Sequence, residues 1–110
     1  MRLHALDAWV REPSVLTDVE TIKRVLYAGA DAGGATVLGE KFCVFGNGAV
    51  TGVLVLAQSH LSIHTWPEFA LANVDLLSYG ALRGEDVLDA ICAGLEVERA
   101  MVTCVPRAIG

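Results

Sequence analysis

The chain changes repeatedly between two kinds of apolar spacing, and these changes predict its helices and strands. Two segments have apolar residues three or four positions apart, as one buried helix face requires. The first starts at the capping-box sequence of residues 17–20 and ends at Gly33 and Gly34. The second follows Glu85 and Asp86, whose negative charges favour the first turn of a helix. We therefore expect one helix in each half of the chain.

The remaining segments have the β-rich or alternating composition of strands. Residues 60–66 are the clearest case, because apolar Leu61 and Ile63 alternate with polar neighbours. The other strands are predicted at residues 3–10, 35–38 with a continuation to 45, 50–56, 69–77 and 100–105. The resulting order is β-α-β-β-β-β-α-β. It predicts an α+β fold, a two-layer α/β sandwich in which two helices cover one face of a mainly antiparallel sheet.

In such a fold the helices cover only one face of the sheet. The other face, or an edge strand, is available to a second subunit, so we expect a homodimer. Residues 1–110 are expected to form a single domain, because this length is typical of one compact unit and 54% of the residues are hydrophobic.

Composition argues against several kinds of partner. Eight scattered Lys and Arg residues and a net charge of −5 disfavour nucleic-acid binding, which needs clustered positive charge. The longest apolar run, around residues 50–57, is far shorter than the roughly 18 residues of a membrane-spanning helix. Three cysteines without CxxC spacing indicate reduced thiols, and His4 and Asp7 interrupt any signal peptide. We expect a cytoplasmic protein.

Residues 58–68, Gln-Ser-His-Leu-Ser-Ile-His-Thr-Trp-Pro-Glu, bring hydroxyl, imidazole and carboxylate groups together at the end of an apolar strand. A Ser-His hydrolase is disfavoured, since no Gly-x-Ser-x-Gly pattern surrounds Ser59. His60 and His64 are four residues apart, but without an HExxH helix we expect no metal site. From spacing alone, a structural, hydrogen-bonded role stays open for either histidine.

Ten consecutive positions from Ser59 are similar to the signature of prokaryotic S-adenosylmethionine decarboxylases, Ser-His-(Leu/Ile)-(Ser/Thr)-Ile-His-Thr-(Trp/Tyr)-Pro-Glu. Weaker similarity covers the rest of the chain, including the His4 strand and residues 33–35 and 74–76. The chain thus resembles this pyruvoyl-dependent family, whose dimeric two-layer α/β fold agrees with the architecture predicted above. The resemblance implies a proenzyme that cuts itself between Gln58 and Ser59, giving residues 1–58 and 59–110.

The resemblance also implies the chemistry. The Ser59 hydroxyl attacks the preceding carbonyl, and β-elimination from the resulting ester leaves a pyruvoyl cofactor at the start of the C-terminal chain. This carbonyl forms a Schiff base with the substrate amine and accepts the electrons of decarboxylation, a sink that ordinary side chains lack. The implied activity is decarboxylation of S-adenosylmethionine, which gives the aminopropyl donor for spermidine biosynthesis.

Single positions take their expected roles from the same resemblance. His64 matches the histidine assigned to processing, and Thr51 stands where a serine assists it. Glu68 matches the acidic residue that holds the ribose hydroxyls, and Phe45 aligns with an aromatic residue that packs on adenine. Ser59 and His64 are five residues apart and point to opposite faces of a regular strand, so a bend or the chain break must bring them together.

Tyr79 marks the main departure from the family. The pattern Asp-Leu-x-(Thr/Ser)-Cys-Gly appears as residues 75–80 with Tyr79 in the position of the catalytic cysteine. A tyrosine hydroxyl can donate a proton to the substrate's α-carbon, but the side chain is much larger than a thiol. Cys43 offers another thiol, although we expect it to be a buried structural residue. Gln58 replaces a common Glu and leaves the attacked backbone carbonyl unchanged.

Two alternatives therefore stay open beside the S-adenosylmethionine decarboxylase. One is a pyruvoyl-dependent decarboxylase of another amino acid, ornithine or arginine. The other is an unprocessed, non-catalytic relative with a binding or regulatory role.

Overall fold

The computed structural model describes residues 1–109 as a six-stranded sheet with two helices. In chain order the elements are β1 Arg2–Val10, α1 Val19–Ala32, β2 Val37–Val44, β3 Val50–Leu56, β4 His60–Trp66, β5 Leu71–Ser78, α2 Gly84–Gly94 and β6 Val97–Pro106. Short 3-10 helices, Pro13–Thr17 and Pro67–Phe69, precede α1 and β5. The predicted fold class and the predicted order of strands and helices are confirmed.

The strands lie in the order β2-β3-β4-β5-β1-β6, so β1 is inserted between β5 and β6. Every neighbouring pair is antiparallel. The register aligns Thr51 on β3 with His64 on β4, and His64 with Asn73 on β5. Asp7 on β1 is the next partner of Asn73. These four residues form one row across the centre of the sheet.

The core lies between the helices and one face of the sheet. Leu54, Leu61 and Val74 alternate with half-buried or exposed neighbours on the central strands and are fully buried in one cluster with Leu26 and Ile91 of the helices. We call the opposite face of the sheet the open face. Its central residues, half-buried or exposed, are Ala5, Asp7, Thr51, Val53, Ser62, His64, Asn73 and Asp75.

The structure corrects the prediction for Cys43. This residue is exposed, because β2 is an edge strand and the register sets Cys43 opposite Thr51 on the open face. The ends of elements also differ slightly. Asp18 caps α1 by accepting a hydrogen bond from the Thr21 N–H, and β6 begins at Val97 because it pairs with β1 over nearly its whole length.

The junction of the two helices depends on a glycine. A Cβ atom on Gly33 would overlap the Val87 Cγ2 atom and lie 2.8 Å from the Arg83 carbonyl oxygen. The Arg83 N–H donates to the Gly33 carbonyl at 3.0 Å, so the two backbones are already in direct contact. A backbone carbonyl cannot turn aside as a flexible side chain can.

We expect Gly33→Ala to lower the free energy of unfolding by about 1–3 kcal/mol, the usual cost of overpacking. Gly39→Ala is the matched control, because a Cβ at Gly39 meets nothing within 4 Å. Its effect should stay within about 0.5 kcal/mol. Urea denaturation of both variants in a Ser59→Ala background, which keeps the chain intact, gives the comparison. Equal stability of the Gly33→Ala and parent proteins would contradict this account of the junction.

Candidate functional site

The residues singled out in the sequence lie in two groups, one at each end of β4. The group before β4, here called the serine end, consists of Gln58, Ser59 and Tyr79. The group at the other end of the strand, here called the histidine end, consists of Phe45, Thr51, His64 and Glu68.

At the serine end, Ser59 lies in the short connection between β3 and β4. Its hydroxyl donates to the Leu77 carbonyl of β5. The Gln58 side-chain oxygen accepts from the Thr36 N–H at 3.3 Å, and the Ala57 N–H donates to the Thr36 carbonyl at 2.8 Å. The peptide between Gln58 and Ser59 is thus held between β5 and the segment before β2. A glutamate at position 58 has the same acceptor, so the glutamine preserves this contact.

Tyr79 follows β5 directly, two residues after the carbonyl that holds the Ser59 hydroxyl. Its side chain is 49% exposed and lines an open cavity of about 540 Å³. The other lining residues are Met1, Arg2, Ser78, Gly80, Leu82 and Ile109. The bulk of the tyrosine ring is therefore accommodated at the surface beside the cavity and takes no space from the core.

A buried pair, His4 and Ser78, supports the serine end from β1. The Ser78 hydroxyl donates to the Arg2 carbonyl at 3.3 Å, and His4 Nε2 lies 3.2 Å from the same hydroxyl oxygen. Both hydrogen bonds of the Ser78 hydroxyl form when His4 Nε2 carries the proton and donates it to the Ser78 oxygen. Burial lowers the pKa of His4, and the charge of Arg2 lowers it further, which favours the neutral ring. Ser78 could not be predicted as the partner of His4 from the sequence, because the two residues are 74 positions apart.

At the histidine end, Thr51 and His64 face each other across β3 and β4. Thr51 Oγ1 lies 2.6 Å from His64 Nδ1, so the extra methyl of threonine does not displace the hydroxyl. The imidazole has an edge-on ring contact on each side, with centroid distances of 5.7 Å to Phe45 and 4.4 Å to Trp66. Because Thr51 occupies Nδ1, Nε2 is the nitrogen left to exchange a proton with another group.

Glu68 lies next to this cluster in the 3-10 helix after β4. Its Oε2 accepts from Asn47 Nδ2 at 3.3 Å. Asn47 belongs to the turn between β2 and β3, where the Phe45 carbonyl accepts from the Gly48 N–H at 2.9 Å. An aromatic face, a carboxylate and an imidazole therefore lie close to one another. These groups can stack on a flat heterocycle, bind hydroxyls and move a proton, respectively.

Within one chain, the serine end and the histidine end lie far apart. His60 and His64 are four residues apart on β4, which corresponds to about 13 Å, and Ser59 lies beyond His60. The expected bend is absent, because β4 pairs residue by residue with β5 from His60 to Trp66. The Ser59 hydroxyl and the His64 imidazole are therefore out of contact within one chain.

Three other features of residues 1–109 concern metal binding, membrane spanning and the cysteines. In this part of the chain no group of three or more His, Cys, Asp or Glu residues is placed to hold a metal ion. No helix there is long and apolar enough to cross a membrane. The three cysteines are unpaired, and burial raises the pKa of Cys92.

Comparisons with known proteins identify the family. The family model for S-adenosylmethionine decarboxylase matches residues 2–108. The S-adenosylmethionine decarboxylase proenzyme of Methanococcus maripaludis is 37% identical over 105 residues, which cover 94% of this chain and 86% of the relative. The chain belongs to the S-adenosylmethionine decarboxylase family.

Other relatives match a shorter part of the chain. The proenzyme of Symbiobacterium thermophilum is 52% identical over 65 residues, which cover 59% of this chain. In this match and in that to the Thermodesulfovibrio yellowstonii proenzyme, the chain spans about half of the relative's length, 49% and 50%. A crystal structure of the adenosylmethionine decarboxylase from Aquifex aeolicus VF5 has a TM-score of 0.88 and 30% identity, covering 100% of this chain and 92% of that one.

Proposed function

We propose that the chain is a single-domain proenzyme that cuts itself between Gln58 and Ser59 and then decarboxylates S-adenosylmethionine. The unbroken ten-residue motif that begins at Ser59 carries this proposal. Its support is membership of the family and the position of Ser59 in a short connection between two paired strands.

The contacts at the serine end suit such a cleavage. The Ser59 hydroxyl exchanges its hydrogen bond to Leu77 for attack on the Gln58 carbonyl carbon. The new C–O bond replaces the C–N bond, which frees the Ser59 amine, while the Gln58 side chain stays bound to Thr36. A base then removes the Ser59 α-proton, and the ester C–O bond breaks to release residues 1–58 with a carboxylate. Water then displaces the nitrogen of this residue, which leaves as ammonia, and the residue that was Ser59 becomes a pyruvoyl group.

Cleavage is expected to give two fragments, residues 1–58 and 59–110, in freshly purified protein. Ser59→Ala should stay intact, because it lacks the attacking hydroxyl. Ser62→Ala is the matched control: it removes a nearby hydroxyl from the open face of the adjoining strand β4, and it should be cut. Intact-mass spectrometry distinguishes the products and shows whether the second fragment begins with a pyruvoyl group. A single uncut parent chain after long incubation would favour the unprocessed, regulatory alternative.

His64 is the proposed base, yet it lies about 13 Å along β4 from the serine end of its own chain. We infer a homodimer in which His64 of one copy serves Ser59 of the other. The open face favours such pairing, because it carries Val55, Met101 and Val105, which are 50%, 60% and 41% exposed. A two-fold axis makes both sites complete at once.

Complementation between two inactive variants tests this dimer. Ser59→Ala and His64→Ala should each stay uncut alone. When the two are co-expressed, mixed dimers join an intact Ser59 to an intact His64 at one of the two sites. We expect cleavage of the His64→Ala chain only, which mass spectrometry identifies, and light scattering should give the dimer mass. A co-expressed mixture without fragments would contradict a shared site.

The histidine end is proposed to bind the substrate. The Phe45 ring packs on adenine, and the Glu68 carboxylate accepts hydrogen bonds from the ribose hydroxyls. The Thr51 hydroxyl keeps His64 oriented. The pyruvoyl group formed from Ser59 supplies the carbonyl that takes up the electron pair when carbon dioxide leaves. The product is the aminopropyl donor for spermidine synthesis, and the unpaired cysteines suit a reducing cytoplasm.

Tyr79 is the proposed proton donor to the substrate's α-carbon. Tyr79→Phe should lower kcat by about 10²-fold, the lower range for loss of a general acid. Tyr79→Cys should retain activity, because it restores the thiol expected from the family. Release of carbon dioxide from carboxyl-labelled S-adenosylmethionine by fully cleaved protein measures both. Unchanged kcat in Tyr79→Phe would exclude the tyrosine as donor.

The presence of Tyr79 also favours a second candidate function, a decarboxylase that acts on a different substrate. Its ring changes the wall of the cavity next to the serine end. The parent protein is therefore assayed with ornithine and arginine as well. Turnover of either amino acid with a background rate on S-adenosylmethionine would replace the proposed substrate and leave the cleavage proposal intact.

A further inference from the structure

A chain of hydrogen bonds on the open face leads from β1 to the neighbour of His64. Asp7 Oδ1 accepts from Asn73 Nδ2 at 2.8 Å, and Asn73 Oδ1 accepts from Trp66 Nε1 at 2.6 Å. The Trp66 ring then meets the His64 ring edge-on, with centroids 4.4 Å apart at 65°. We propose that Asp7 and Asn73 are positioning residues that fix the Trp66 indole and, through it, the imidazole of His64. This inference rests on the proposed role of His64.

The direction of each hydrogen bond gives Asp7 a specific task. An indole N–H can only donate, so Trp66 requires the oxygen of the Asn73 amide. The amide nitrogen then needs an acceptor, and the Asp7 carboxylate is one. Without that carboxylate the amide is free to turn over and set its NH₂ group against the indole N–H, donor against donor. Asp7 therefore determines which way Asn73 faces.

The sheet places these groups in one row with His64. Asn73 is the register partner of His64 on one side and of Asp7 on the other. Thr51 lies beyond His64 in the same row and binds its Nδ1. The imidazole is thus held by a hydroxyl on one strand and by an indole whose angle depends on two further strands. Cross-strand side-chain pairs of this kind are the unit by which a sheet is stabilised.

Fold stability alone does not account for this chain of contacts. All of its members lie on the open face, outside the apolar core. Trp66 is 40% exposed, so without its hydrogen bond the indole gains rotamers and gives His64 no fixed wall. A base that must reach one particular proton loses rate when its ring is poorly oriented, because the reactive geometry is then rarely populated.

Exchange of the acid and the amide tests the chain of contacts directly. Asn73→Asp sets two carboxylates against each other at hydrogen-bond distance, and their repulsion should turn the new carboxylate away from both Asp7 and the Trp66 indole. Asp7→Asn combined with Asn73→Asp restores both hydrogen bonds, because the new carboxylate accepts from Trp66 and from the new amide. Asp31→Asn, on the exposed surface of α1, is the control for loss of one negative charge.

The Trp66 indole proton gives a readout that does not require activity. In the full-length Ser59→Ala protein, its hydrogen exchange by NMR should become about tenfold faster in Asn73→Asp, equivalent to the loss of one hydrogen bond. The double exchange should return it to within about threefold of the parent, and Asp31→Asn should leave it unchanged. Unfolding temperatures, measured in parallel, show whether any variant has simply failed to fold.

Self-cleavage gives the functional readout in chains that keep Ser59. We expect Asn73→Asp to slow cleavage at least about tenfold and the double exchange to recover most of the rate. In the fraction of enzyme that has been cleaved, KM should stay near the parent value, since Phe45 and Glu68 are untouched. A parent-like cleavage rate in Asn73→Asp overturns the positioning role if His64→Ala is uncut. If His64→Ala is itself cut at the parent rate, the assignment of His64 as base fails instead.

Discussion

The continuous pairing of β4 with β3 on one side and β5 on the other determines where every functional group lies. The strand begins directly after Ser59 and ends just before the 3-10 helix that contains Glu68. A motif that is continuous in sequence is therefore stretched along a whole strand. Each end must take its partners from other elements, and these are the Leu77 carbonyl of β5 for Ser59 and the Thr51 hydroxyl of β3 for His64.

The two-residue alternation of β4 also divides the motif between folding and chemistry. Leu61, Ile63 and Thr65 point into the core and are almost completely buried. The Thr65 hydroxyl accepts from the Val50 N–H and donates to the Leu16 carbonyl, each at 2.8 Å, so it ties the strand to β3 and to the first 3-10 helix. A polar residue inside the signature thus secures the fold, and only its outward-facing neighbours are free for chemistry.

Periodicity was sufficient to predict both helices and the order of all eight elements, because each depends on local spacing. The order of strands in the sheet could not be predicted, because the insertion of β1 between β5 and β6 depends on pairing across the whole chain. The contact of Asp7 with Asn73, 66 residues away, followed from that pairing and was missed. Cys43 was misjudged because composition does not reveal an edge strand. The pairing of Thr51 with His64 could be predicted, because residues at equal distances on either side of the turn between β3 and β4 face each other.

The three departures from the family pattern share one property: each keeps a contact that the geometry requires or falls where there is room. Gln58 still binds the Thr36 N–H through a side-chain oxygen. Thr51 still brings a hydroxyl to His64. Tyr79 lies half-exposed beside an open cavity, so its larger ring does not displace Ser59 from the Leu77 carbonyl. All three positions therefore fit the proposed proenzyme, in which Ser59 and His64 each have a hydrogen-bond partner.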